Sequence, residues 1–148
     1  MPDNKLKIET ITGTFMLIGL LCMGYLAIKM GDVGLLGDDT YQLQARFTSV
    51  SGLKKGSYIE AAGVRIGKIR KIEFDPEYYL AIVTMDIDKN VKVPEDATAS
   101  VRTAGIIGDK FIKIAPGGAE NYLEPGMEIQ ETEPSINLEE LISKYIFE

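Results

Sequence analysis

From Tyr41 to Phe47 apolar and polar residues alternate strictly. Tyr41, Leu43, Ala45 and Phe47 fall on one face and Gln42, Gln44 and Arg46 on the other, the pattern of a half-buried β-strand. The same period returns in Leu80–Ile87, where Ala81, Val83, Met85 and Ile87 share a face. Tyr58–Ala62 and Lys68–Phe74 read as strands joined through Gly63-Val64-Arg65-Ile66-Gly67, with Ile66, Ile69, Ile72 and Phe74 available to a core. Between Ile69 and Ile72 the period slips, which predicts a β-bulge. Thr98–Arg102, Lys110–Ala115 and Met127–Gln130 complete a set of seven short strands, punctuated by Gly, Pro, Asp and Ser turn signals. Seven strands with no helix between them predict a mainly β fold, a small antiparallel sandwich or barrel. A barrel would leave no free edge.

Both ends of the chain depart from this pattern. Ile11–Ile28 carries no charge, and as a helix its eighteen residues would span roughly 27 Å, close to the hydrocarbon thickness of a bilayer. It lacks the small-residue exit of a cleavable signal peptide, and Leu21 precedes Cys22 where a lipoprotein would want a small residue. An uncleaved signal anchor fits best. Lys5 and Lys7 before it, against Asp32, Asp38 and Asp39 after it, favour a cytoplasmic N-terminus and an external main domain. Gly13, Gly19 and Gly24, with Thr12 and Thr14, would let a second membrane helix approach closely, or are merely tolerated. The Gly/Asp-rich connector that follows is short and keeps the folded part near the lipid surface.

Pro134 stops the sheet. Asn137 can cap a terminal helix, with Glu140 at the reciprocal capping-box position. Leu138, Leu141, Ile142, Tyr145 and Ile146 then follow the spacing of an apolar stripe. So short a helix is marginal alone, so the stripe docks either on its own barrel or against copies of itself. Self-association is favoured, because a small barrel already fills its own interior.

One connection breaks the rules of turns. Between Thr98–Arg102 and Lys110–Ala115 the chain offers Ala104-Gly105-Ile106-Ile107-Gly108, two β-branched apolar residues where Asn, Asp, Ser, Gly or Pro is usual. Leaving one Ile in water forgoes roughly 1.5–3 kcal/mol relative to burying it. The pair should therefore meet the domain's own core, a neighbouring subunit, a membrane or an apolar ligand.

Composition narrows the chemistry. A chain of 148 residues is one domain's worth. With net charge −6 and no long basic block, nucleic acid is an unsuitable partner. The chain has no His, so the commonest general base and metal ligand are both missing. Its single cysteine, Cys22, allows no internal disulfide. Asp86-Ile87-Asp88-Lys89-Asn90 opens like a calcium loop, but Val91 stands where the sharp turn needs Gly and Ala97 where the bidentate Glu belongs. Gly63–Lys68 is one residue short of a phosphate loop and lacks the Ser or Thr that would hold magnesium. Asp86 and Asp88 share a strand face and read as solvated. No catalytic, cofactor-binding or metal constellation results, and the expectation is a protein that is not an enzyme.

Phe47, Val50, Gly52-Leu53, Gly56, Ala62-Gly63-Val64, Ile66-Gly67-Lys68-Ile69, Val93-Pro94, Thr103–Gly108, Ile112, Ile114 and Pro116-Gly117 form an ordered set. It resembles the MCE (mammalian cell entry) domain family in its single-domain, MlaD type. The resemblance divides the chain into a cytoplasmic N-terminus (1–10), a transmembrane anchor (11–30), a linker (31–39), an MCE β-barrel core (40–118), a final strand and connector (119–134) and a C-terminal helix (135–148). It implies a seven-stranded β-barrel that forms a homohexameric ring on the bacterial inner membrane, with the main domain in the periplasm. By the same resemblance, Gly105, Ile106, Ile107 and Gly108 would be a lipid-pore loop, and the C-terminal stripe would extend the tunnel. The implied partners are phospholipid, an ABC permease with its ATPase, and a soluble periplasmic lipid carrier; no cofactor is implied. The function to test is phospholipid conduction between inner and outer membranes. The alternative is a periplasmic adaptor of an inner-membrane transporter that never touches lipid.

Overall fold

The computed structural model describes residues 3–30 and 39–147, in two separate units. Most of the predicted linker lies outside the described residues. The first unit is one helix, α1 (Asp3–Met30). It begins eight residues before the uncharged run at Ile11, so its first turns carry Lys5, Lys7 and Glu9. It is long and apolar enough to cross a membrane, and its side chains from Asn4 onward are exposed. Thr10, Thr12 and Thr14 donate their hydroxyls to the carbonyls of Leu6, Ile8 and Thr10 at 2.7–2.8 Å. That bonding satisfies the polar atoms within the helix, as an apolar surrounding demands.

The second unit is a single sheet curled into a nearly closed barrel. Its strands are β1 (Thr40–Phe47), β2 (Tyr58–Ala61), β3 (Val64–Asp75), β4 (Leu80–Asp88), β5 (Thr98–Thr103), β6 (Lys110–Ala115), β7 (Glu128–Ile129) and β8 (Glu131–Glu133). They stand in the order β7-β1-β4-β3-β2-β6-β5-β8. The alternation in β1 places Leu43, Ala45 and Phe47 in the core, where they meet Val83, Met85 and Ile87 of β4. Ile59, Ile69, Ile112 and Ile129 bring in the other strands. The slip predicted in β3 is present: its register against β4 shifts between Ile69 and Lys71.

Eight paired segments replace the seven strands expected, because the last one divides its partners. β7 runs parallel to β1 and, one residue later, β8 runs parallel to β5. Gln130 is the only residue between them. Thr132 adds a hydrogen bond from its hydroxyl to the Arg46 carbonyl (2.7 Å), so this one run joins the two ends of the sheet.

Three other expectations need correction. β3 begins at Val64, not Lys68, because Ala62 and Gly63, both at positive φ, make a tight hairpin turn in place of a five-residue connection. Phe74 is exposed, paired edge-on with Tyr79 (5.7 Å), since it lies beside the β3–β4 turn rather than over the core. Asp86 is not solvated like Asp88. It is buried, and its carboxylate meets Arg70 Nε at 3.2 Å.

Strand directions sort the loops. Phe47 is level with Ala81, and β5 runs in the same sense as β1. The β1–β2 connection, the β3–β4 turn, the β5–β6 loop and the exit from β8 therefore leave the barrel at one end. Thr40 lies at the other.

Candidate functional site

The β5–β6 loop is Ala104–Asp109. It is closed by a hydrogen bond from the Ala104 N–H to the Asp109 carbonyl (3.0 Å). Gly105 turns at φ +73° with open space around it, whereas a side chain at Gly108 would collide with the Ala104 carbonyl. Each glycine has its own reason: one supplies a left-handed turn, the other a close backbone approach. Between them Ile106 is 82% and Ile107 96% exposed. Their own core does not take them.

Facing the loop is α2 (Leu138–Ile146). Its approach is fixed to the barrel. The Ser135 N–H donates to Ser49 O (3.0 Å), its hydroxyl to Ser51 O (3.1 Å), and Lys110 Nζ to Ile136 O (3.1 Å). Beyond that base α2 buries no residue, and Leu138, Leu141, Ile142, Tyr145 and Ile146 are all exposed. Within the protomer the barrel does not bury the stripe. Asn137 stands at the N-cap, but its side chain makes no capping bond, so the expected capping box with Glu140 is not formed. Its carbonyl accepts from the N–H groups of Glu140 (3.2 Å) and Leu141 (3.3 Å) instead. In an exposed first turn the remaining donors can be hydrated, which makes a side-chain cap less necessary.

A cleft of about 480 Å³ separates loop from helix. All four residues of the predicted loop site line it, together with Leu138 and Leu141. Ile142, Tyr145 and Ile146 belong to the same stripe but do not line the cleft. Ile136 and Lys110 do, and neither was among the predicted site residues. Ile136 had a readable signal: it precedes the N-cap, and Leu141 stands at the fourth helical position, the pair of a hydrophobic staple. Lys110 had none, because only the fold brings it to the base of α2.

An open, mostly apolar cleft with glycine-set walls suits contact with an apolar chain.

A family model described as MlaD protein matches residues 39–117. The chain is 30% identical to the intermembrane phospholipid transport system binding protein MlaD of Escherichia coli, over 95% of this chain and 81% of that protein. It is 29% identical to the protein of the same description from Haemophilus influenzae, over 97% and 89% of the two chains. Among solved structures, a chain of the Acinetobacter MlaFEDB complex in an ATP-bound conformation aligns with TM-score 0.73. The identity there is 30%, covering 93% of this chain and 97% of that one.

Proposed function

The chain belongs to the MlaD protein family, and from that premise we propose that it is a ring subunit of an ABC-type phospholipid transport system, anchored in the bacterial inner membrane with its barrel in the periplasm. Its N-terminus is cytoplasmic in this reading. Its partners are a permease and an ATPase, consistent with the complex to which its structural neighbour belongs, and a soluble periplasmic carrier. Identical subunits, six in the reading favoured here, line a central pore with Ile106 and Ile107, and the α2 stripes lengthen it. This chain performs no catalysis of its own.

One observation carries the reading: two adjacent isoleucines are held in solvent on a closed loop, across a cleft from Leu138 and Leu141. The physics explains why such an arrangement is useful. Exposing a lipid tail costs about 0.8 kcal/mol per CH₂, on the order of 13 kcal/mol for sixteen carbons. Spontaneous escape into water is therefore slow. One loop cannot surround a tail, but a closed ring of identical loops can. Weak, repeated apolar contacts suit passage better than a deep pocket.

The test is photo-crosslinking from position 106 or 107 in cells, alongside an Ile106→Asn/Ile107→Asn double variant. Lipid adducts and a leaky outer membrane are the expected results. An absence of adducts together with an intact outer membrane in the variant would reject the conduit and favour the adaptor.

A further inference from the structure

Behind the isoleucine loop lies a second cleft, of about 360 Å³. Lys54, Lys55, Arg65 and Lys110 line it, against one carboxylate, Asp109. In a chain of net charge −6 this is a local reversal of sign. Its parts are also held in place. The β1–β2 connection that carries Lys54 and Lys55 is pinned by bonds from Leu53 N–H to Val50 O, Ser57 N–H to Lys54 O and Gly56 N–H to Ile69 O (2.9–3.1 Å).

Arg65 is the informative residue. Its guanidinium lies 4.5 Å above the ring of Tyr58, which stacks on the largely buried Phe111 with ring centres 4.7 Å apart. The stack orients a planar, permanently charged fork. Among the described residues no carboxylate pairs with it, and none pairs with Lys55. Lys54 meets Asp109 only at 3.8 Å, with both side chains mostly exposed, a contact of little worth. A fixed guanidinium with neighbouring ammoniums and no carboxylate of its own is the chemistry that recognises a phosphate oxyanion.

Lys110 lines this cleft and the isoleucine cleft alike. The two clefts therefore adjoin at this residue. We propose that the cation cleft is a headgroup station: it holds the phosphate of an amphiphile while the acyl chain lies across Ile106 and Ile107. The proposal rests on the lipid-conducting reading and adds to it a site for the polar end. Because the cations are exposed and screened by salt, the station is weak, as a transit point must be. Free phosphate shares the chemistry, and the experiment separates the two.

The full-length protein, held in amphipol without phosphate-containing lipid, is titrated into three probes. These are dihexanoyl-phosphatidylglycerol below its micellar concentration, inorganic phosphate, and dihexanoylglycerol. Binding is read by ³¹P and ¹H line broadening. The phospholipid should bind, and Lys54→Gln/Lys55→Gln/Arg65→Gln should weaken it about tenfold, the loss of a charged hydrogen bond or two. The same variant should leave dihexanoylglycerol unaffected, and Lys54→Arg/Lys55→Arg should retain phospholipid binding. Unchanged circular dichroism and native mass exclude misfolding of the variants. Equal phospholipid binding by wild type and the triple variant overturns the station but spares the conduit. Inorganic phosphate binding as tightly as the phospholipid also overturns it, in favour of a free-phosphate site. No binding of either lipid probe to the wild type overturns station and conduit together.

Discussion

Arg70 Nε lies 3.2 Å from an Asp86 carboxylate whose side chain is 9% exposed, while the arginine itself is 56% exposed. The two residues sit on adjacent strands, on the face of β4 turned away from Met85 and Ile87. Arg70 is at once the cover and the counter-charge. Removing it leaves a carboxylate short of both water and partner, a loss of about 1–3 kcal/mol. Arg70→Ala should lower the thermal midpoint of the barrel. Arg70→Ala with Asp86→Asn should recover most of it; a double variant as unstable as Arg70→Ala would show that the loss does not come from the stranded carboxylate.

This pair also marks where the sequence stopped being readable. Strict alternation identified the inward face of β1 and β4, because a two-residue period has only one way to bury Leu43 or Met85. The slip from Ile69 to Ile72 announced the bulge for the same reason. What alternation does not report is depth on the other face: Asp86 looks like any outward residue, and its cover comes from a neighbouring strand. Nor does it report where the barrel ends. Phe74 keeps the apolar identity of a core residue but stands beside a turn. Ala62 hid a hairpin turn, since a left-handed alanine is uncommon. In the candidate site the isoleucine loop was legible as an exception to the rules of turns, and the helix stripe as regular helical spacing. Their meeting across one cleft, with Lys110 between, depends on strand order and could not be read from spacing.

The two loop glycines should differ in their tolerance of alanine. At Gly105 the cost is the left-handed backbone alone, about 1–2 kcal/mol, since nothing lies within 4 Å of the new methyl. At Gly108 the methyl meets the Ala104 carbonyl, backbone that moves only if the loop opens. Gly108→Ala should therefore reduce lipid capture from position 107 with Ile106 intact, and Gly105→Ala should reduce it far less. Equal capture by the two variants would mean that loop shape is irrelevant to the isoleucines' task.

Acidification should loosen the start of the barrel. Lys89 Nζ donates to Asp39 Oδ1 at 2.9 Å, and that hydrogen bond, with the lysine's charge, holds the Asp39 carboxyl below its ordinary pKa. A carboxyl depressed in the folded state contributes stability above its unfolded pKa and loses it as pH falls through the folded one. The window is below about pH 4, and full exposure keeps the contribution small and salt-sensitive. A carbon-detected NMR titration should place the Asp39 midpoint below the ordinary aspartate range. Lys89→Gln should raise it; a midpoint that stays put would assign the shift to another cause.

The stripe on α2 offers the sharpest division between a lone subunit and a ring. Nine residues of helix are too few to persist on propensity alone, yet none of these side chains is buried within the protomer. If neighbouring copies cover the stripe, Leu141→Asp/Ile142→Asp removes about 1.5–3 kcal/mol of burial per subunit from the assembly, both side chains being half exposed in the protomer, and nothing from the barrel. Native mass spectrometry should then show the assembly shifted to smaller species. Thermal unfolding of the isolated protomer should be unchanged. The opposite pair of results, an intact assembly and a destabilised protomer, would place the stripe against its own barrel and remove α2 from the tunnel wall.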